Sequence, residues 1–124
     1  MSNLPRGIVL AHGTLASALV HEAERIGGVP GVLTPVSNDG CGREDLAERL
    51  GSALGTGPAV IFVDMPCGSC YFAAMHAVRT RPDVRVVSGV NLPMLLDFVH
   101  HRELGPQEGA QRAAGKGAEA IRQA

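Results

Sequence analysis

The chain of 124 residues contains no tryptophan, one tyrosine and three phenylalanines. That scarcity excludes the aromatic platforms on which single-stranded nucleic acids stack. Charge of one sign is missing too. Eleven Lys and Arg stand against twelve Asp and Glu, for a net charge of −1, and no basic block occurs. Nucleic acid and anionic membrane are therefore poor candidates as main partners. No apolar run reaches the ~18–20 residues of a membrane span. The first residues, MSNLPRGIVLAHG, carry one Arg, a short apolar stretch and no cleavage pattern, unlike a secretory signal. A cytoplasmic location is the expectation. The three cysteines, Cys41, Cys67 and Cys70, are an odd number, which with the missing signal speaks against a disulfide framework. Neither GxGxxG nor the phosphate-binding GxxxxGK pattern occurs, so no nucleotide site is legible.

What is present is 45% apolar residues and 16 glycines, a composition that suits a core of Val, Leu, Ile, Ala and Met under closely packed helices. The length fits one domain over residues 1–124. Short apolar runs alternate with helical spacing. Gly7–Ala11 reads as a strand buried on both faces. Leu15–Ile26 has apolar residues at helical intervals and stops at Gly27 and Gly28. Gly31–Val36 is a weaker strand, confined by Pro35 to a sheet edge. Ser37–Arg43 is a loop and Glu44–Leu54 a helix. Ala59–Asp64 is the clearest strand, followed by a turn over 65–69 and a helix over Cys70–Arg79. Val84–Val90 is a fourth strand. Leu92–His101 is a helix with Pro93 in its first turn, and Gln107–Ala124 is a terminal helix. This alternation predicts an α/β fold, doubly wound, with a mainly parallel sheet of four strands, five at most, in the order 2-1-3-4 and helices on both faces.

In such sheets, chemistry collects beyond the carboxyl ends of the strands. His12 ends the first strand, Asp64 the third, Asn91 the fourth, and Asp39 lies in the loop after the second. A carboxylate beside an imidazole accepts a hydrogen bond from one ring nitrogen and leaves the other with an outward lone pair, a nucleophile. A strand-end histidine capped by whatever acid is near is the plainer alternative. The turn Met65-Pro66-Cys67-Gly68-Ser69-Cys70 opens a helix, where free N–H groups and the helix dipole suit an anion such as phosphate. Ser69 serves there as a phosphate donor or as a simple N-cap.

GIVLAHG, AVIFVDMPCGSCYFAAMHAV and VVSGVNLPMLLDFV together resemble the IIA domain of the mannose-type sugar phosphotransferase system, over roughly residues 6–101. The GVNLPML segment is the most specific match. The dihydroxyacetone-kinase phosphotransfer subunit carries a related domain. The resemblance implies a histidine phosphorylated by the phosphocarrier protein HPr, which hands the group to a IIB-type domain for sugar uptake or regulation. His12 matches that histidine and Asp64 its carboxylate partner. Gly68 and Ser69 match the family's D-x-x-G-G-S-P loop, so the phosphate-binding residues are expected at Cys67, Gly68 and Ser69. The resemblance further implies a homodimer, in some members with exchange of a C-terminal strand, and membrane association only through permease partners. No metal and no cofactor are implied.

Two departures stand out. Cys67 replaces the first Gly of the family loop and Cys70 its Pro. A Cβ at Cys67 is expected to distort the turn if that position needs positive φ. The departures also create a C-x-x-C at a helix start, where thiols are activated. A dithiol switch, and a metal site built from Cys67, Cys70, His12 and Asp64, are thus rival uses of the loop. A domain that only binds a partner, switched by phosphorylation of His12, is another. Such a partner would meet the apolar rim of Met65, Pro66 and Tyr71. Cys41, His21, His76, His100 and His101 are assigned no chemistry.

Overall fold

In a computed structural model, which describes residues 3–124, the elements alternate as the periodicity predicts. They are β1 (Arg6–Ala11), α1 (Leu15–Gly27), β2 (Leu33–Ser37), α2 (Arg43–Leu54), β3 (Ala59–Val63), α3 (Gly68–Val78), β4 (Val84–Ser88), α4 (Leu92–Val99), a short 3-10 turn over Arg102–Leu104, and α5 (Gly105–Glu119). The four strands form one sheet in the order β2-β1-β3-β4, and every pairing is parallel.

The central strands are apolar throughout because both faces are covered. Alternate residues of each enter different cores. Val9 and Ala11 of β1, with Val60 and Phe62 of β3, pack against α1, α4 and α5. Ile8 and Leu10, with Ile61 and Val63, pack against α2 and α3. Helix α2 buries Leu46, Leu50 and Leu54, four residues apart on one stripe. In the other core, the rings of Phe62 and Phe98 meet edge to face at 5.1 Å.

The strand boundaries differ from the expectation by a few residues. β2 runs on to Ser37 through Pro35, which is tolerated because β2 is an edge strand with β1 on one side only. The terminal helix starts earlier, at Gly105, and ends at Glu119, short of the expected Ala124. The third helix starts two residues early, at Gly68 rather than Cys70, with Cys67 as its N-cap. Helix α4 begins as Pro93 suggests. Asn91 Oδ1 accepts the Met94 N–H at 3.1 Å, and its amide donates to the Gly117 carbonyl at 3.0 Å, tying α4 to α5. Asn91 is therefore a cap and a brace.

Register is what positions the strand ends. Leu10 of β1 lies opposite Val63 of β3. Carrying that pairing onward sets Asp64 opposite Ala11 and places His12 one residue beyond it.

One glycine shows how tightly the sheet is covered. A Cβ at Gly7 would come within 2.5 Å of Leu33 Cδ2 and 2.9 Å of Phe98 Cε2. Gly7→Ala is expected to lower stability by about 1–3 kcal/mol through overpacking, read as a shift in the urea midpoint. An unchanged midpoint would show that Leu33 and Phe98 repack freely.

Candidate active site

The site begins with a turn. β1 ends in a wholly buried run, and the chain must then leave the sheet and enter α1. Gly13 takes φ +60, a left-handed conformation that side-chain-bearing residues rarely adopt. The turn stops His12 at the lip of the sheet, with its side chain 38% exposed. Asp64 directly follows β3, one pairing position short of His12, with its side chain 12% exposed.

The two residues are joined twice. Asp64 Oδ2 accepts the backbone N–H of His12 at 3.0 Å and lies 2.7 Å from His12 Nδ1. With the proton on Nδ1 donated to the carboxylate, the lone pair of Nε2 is free. Burial pushes the Asp64 carboxyl up, but both hydrogen bonds from His12 and the charge of its ring outweigh this. The group titrates below the ordinary carboxylate value.

The free nitrogen faces the first turn of α3. Gly68, at φ +87, lies so close that a Cβ there would sit 3.6 Å from His12 Nε2 and Cε1. Cys67 by contrast is extended, at φ −162, so the replacement of a family glycine at 67 strains nothing. The residue that needs positive φ is Gly68. Ser69 stands inside the first turn and is not the N-cap. Its Oγ accepts the Asn38 amide at 3.2 Å.

Asn38 is the residue that sequence reasoning passed over. Its Oδ1 accepts the Gly13 N–H at 3.2 Å while its Nδ2 holds Ser69. It bridges the loops after β1 and β2 and the start of α3, and so braces the frame around His12. Ser37 helps, its hydroxyl donating to the Gly13 carbonyl at 2.7 Å. The signal was available, since Asn38 is the polar residue directly after β2. Asp39, singled out instead, is exposed, and its backbone N–H turns back to Ser37 Oγ.

The cysteines divide. Cys67 is exposed and Cys70 fully buried. Burial, and then the negative charge of Asp64, push the Cys70 thiol up to about 11. A thiol held protonated is a poor nucleophile at neutral pH, so burial defeats the activation expected from the helix start at Cys70. The expected convergence of four metal ligands is also reduced. Among the described residues, donor atoms of His12, Asp64 and Cys70 lie within 4.8 Å of one another, and Cys67 does not join them. Beside Ser69 a cleft of about 620 Å³ opens between the starts of α2 and α3, with Arg43 set 4.8 Å over the Phe72 ring. The exposed apolar rim is Met65, Pro66 and Phe72. Tyr71, expected there, is half-buried against the α2–α3 core.

With this geometry in view, the comparisons with known proteins decide the family. Residues 7–114 match the family model described as the PTS system fructose IIA component, EIIA-man. The chain belongs to the mannose-type IIA family. The sorbose-specific EIIA component of Klebsiella pneumoniae is 35% identical over 98 residues, covering 77% of this chain and 73% of that protein. The mannose/sorbose-specific IIA subunit from Enterococcus faecalis shares the fold, with a TM-score of 0.87 at 24% identity over 98% of this chain and 95% of that one. So does an EIIA component from Streptococcus agalactiae, with a TM-score of 0.88 at 19% identity over 97% of each chain. As a mannose-type IIA component, the protein is a phosphoryl carrier of the sugar phosphotransferase system, in which IIA components work with HPr and IIB. No helix among the described residues is long and apolar enough to cross a membrane.

Two titrations are expected to separate the site's acids. Near about pH 8, iodoacetamide should label Cys67 in the folded protein and leave Cys70 unmodified, as read by peptide mass spectrometry. Equal labelling would contradict the burial of Cys70. The raised thiol value means Cys70 contributes stability in full below its unfolded value of about 8.5. That contribution is lost as pH rises through about 11. Asp64, whose folded value is lowered, contributes above the unfolded value of about 3.9, and its contribution is lost as pH falls through the folded value.

Proposed function

We propose that His12 is the phosphoryl acceptor and that Nε2 is the reacting atom. The observation that carries this is the pairing of Nδ1 with Asp64, which leaves the opposite nitrogen directed at the start of α3. Nε2 attacks the phosphorus of a phosphohistidine on HPr. A new N–P bond forms, the N–P bond of the donor breaks, and the donor nitrogen leaves with the electron pair. Asp64 holds the ring in the tautomer that attacks. It then balances the positive charge the ring acquires when Nε2 is substituted while Nδ1 keeps its proton.

The transferred oxygens face the free N–H groups at the start of α3, around Cys67, Gly68 and Ser69, where the helix dipole favours an anion. The hydroxyl of Ser69, which accepts from Asn38, keeps its own proton to donate. The lack of a Cβ at Gly68 leaves the space beside Nε2 in which a phosphoryl group fits. The next step reverses the chemistry toward a IIB-type acceptor, and neither step requires a metal or a bound nucleotide. HPr and the IIB-type domain dock on the same rim, over Met65, Pro66 and Phe72, because both must reach Nε2. In this reading residues 1–124 form one domain that works in the cytoplasm as a homodimer and meets the membrane only through its permease partner.

The decisive measurement is intact mass after incubation with phosphoenolpyruvate, enzyme I and HPr. The wild type should gain one acid-labile phosphoryl group and His12→Ala none. Asp64→Asn, which keeps the shape but loses the charge, should slow the gain by about 10–100-fold, as loss of a histidine-orienting carboxylate typically does. No gain in the wild type under reducing conditions would refute the assignment. Transfer from the phosphorylated protein to a IIB domain would then distinguish a relay from a regulatory module that keeps the group.

A further inference from the structure

The proposed phosphoryl transfer leaves one group in the site unused and one atom unsatisfied. The unused group is the thiol of Cys70, fully buried on the first turn of α3 beneath the histidine. The unsatisfied atom is Asp64 Oδ1, buried and without a hydrogen-bond partner, although Oδ2 of the same carboxylate has two. A buried anionic oxygen with no donor is unfavourable, because its lost hydration is not replaced. It marks a place where positive charge is favoured.

Donor atoms of three kinds converge there. A thiol sulfur, an imidazole nitrogen and a carboxylate oxygen lie within 4.8 Å of one another. We propose that His12, Asp64 and Cys70 form a binding site for a thiophilic divalent cation of the Zn²⁺ class, and that its occupation and phosphorylation of His12 exclude each other. The donor set selects the ion. Sulfur with nitrogen suits Zn²⁺ and its neighbours, whereas Mg²⁺ and Ca²⁺ take oxygen. Tetrahedral bonds of about 2.0–2.3 Å set donor atoms roughly 3.3–3.8 Å apart, so donors now up to 4.8 Å apart must close by about 1 Å around the ion.

The exclusion follows from the electron count of the ring. A neutral imidazole has a single in-plane lone pair. If the cation takes Nε2, the attacking pair is gone. If it takes Nδ1, the proton there moves to Nε2 and the attacking pair is gone as well. Cys70 gives up its thiol proton to solvent and binds as thiolate, the cation supplying the charge that burial otherwise denies it. The site itself stands independently of phosphoryl transfer, and only the exclusion rests on the proposed role of His12.

Co²⁺ reports a thiolate ligand directly, through a near-ultraviolet sulfur-to-metal charge-transfer band. Titration of the full chain under reducing conditions should give this band with one ion per chain, displaced by Zn²⁺. Cys70→Ala should abolish it, and His12→Gln and Asp64→Asn should weaken it. Cys67→Ala and Cys41→Ala should keep it. The absence of a band, or a band that survives Cys70→Ala or needs Cys67, would overturn the site. In the phosphorylation assay, Zn²⁺ at one equivalent should hold the wild type at the His12→Ala background, with recovery on chelation and no effect in Cys70→Ala. Phosphorylation unaffected by a bound ion would overturn the exclusion and leave the site standing. Failure of phosphorylation without any metal would instead count against the role of His12.

Discussion

Two hydrogen bonds to a single oxygen hold the candidate site of this molecule together. Asp64 Oδ2 grips both the backbone and the ring of His12, and it reaches them only because β1 and β3 are neighbours in register. These strands are far apart in the chain and are joined in space by a doubly wound topology. The two cores on either side of the sheet serve that adjacency. Their alternating Val, Ile, Leu and Phe residues fix the strands in rotation as well as position. A register slip of one residue would turn every core side chain to the wrong face and part the pair.

Around that pair the charges are arranged asymmetrically. The carboxylate is largely withdrawn from water, and hydrogen bonds to a charged acceptor, each about 1.5–3 kcal/mol, offset its desolvation. The ring stands at the surface with one nitrogen committed inward and one available. The start of α3 lies beside the available nitrogen and offers unpaired N–H groups. The same helix carries a cysteine inward at Cys70, so one helical turn presents backbone donors to the outer side of the ring and a sulfur to the inner side. Asn38 spans the gap from the β1 turn to that helix and keeps the turn from drifting relative to the ring.

Much of this was legible in the sequence, and the reasons are specific. The parallel sheet and helix placement follow from the alternation of apolar runs with helical spacing, the order 2-1-3-4 is a common one for such folds, and Pro35 marked the edge strand. His12 and Asp64 were visible because a titratable residue ending a buried strand is conspicuous against Val and Ile. Helix ends were less visible. The start of α3 depends on the backbone conformations of Cys67 and Gly68, and propensity alone does not reveal which of two neighbouring residues turns left-handed. Depth within a first turn was also hidden. Cys67 and Cys70 look equivalent in a C-x-x-C spacing, yet one faces water and the other the sheet, a difference set by the rotation of α3 against β3. Phe72 rather than Tyr71 stands exposed at the rim for the same reason.

Under the proposed role of His12, the exposure of its ring would set a clock as well as a docking point. A ring enclosed on all sides would protect whatever it carries, but no second protein could reach it. A ring open on its partner-facing side admits water through the same aperture, and 38% of the His12 side chain is exposed. If His12 carries the phosphoryl group as proposed, its lifetime there is a contest between collision with an acceptor and hydrolysis. The outcome depends on how many acceptors surround the carrier. On the proposed role of His12, the width of one surface opening would decide how long the carrier waits for its neighbours.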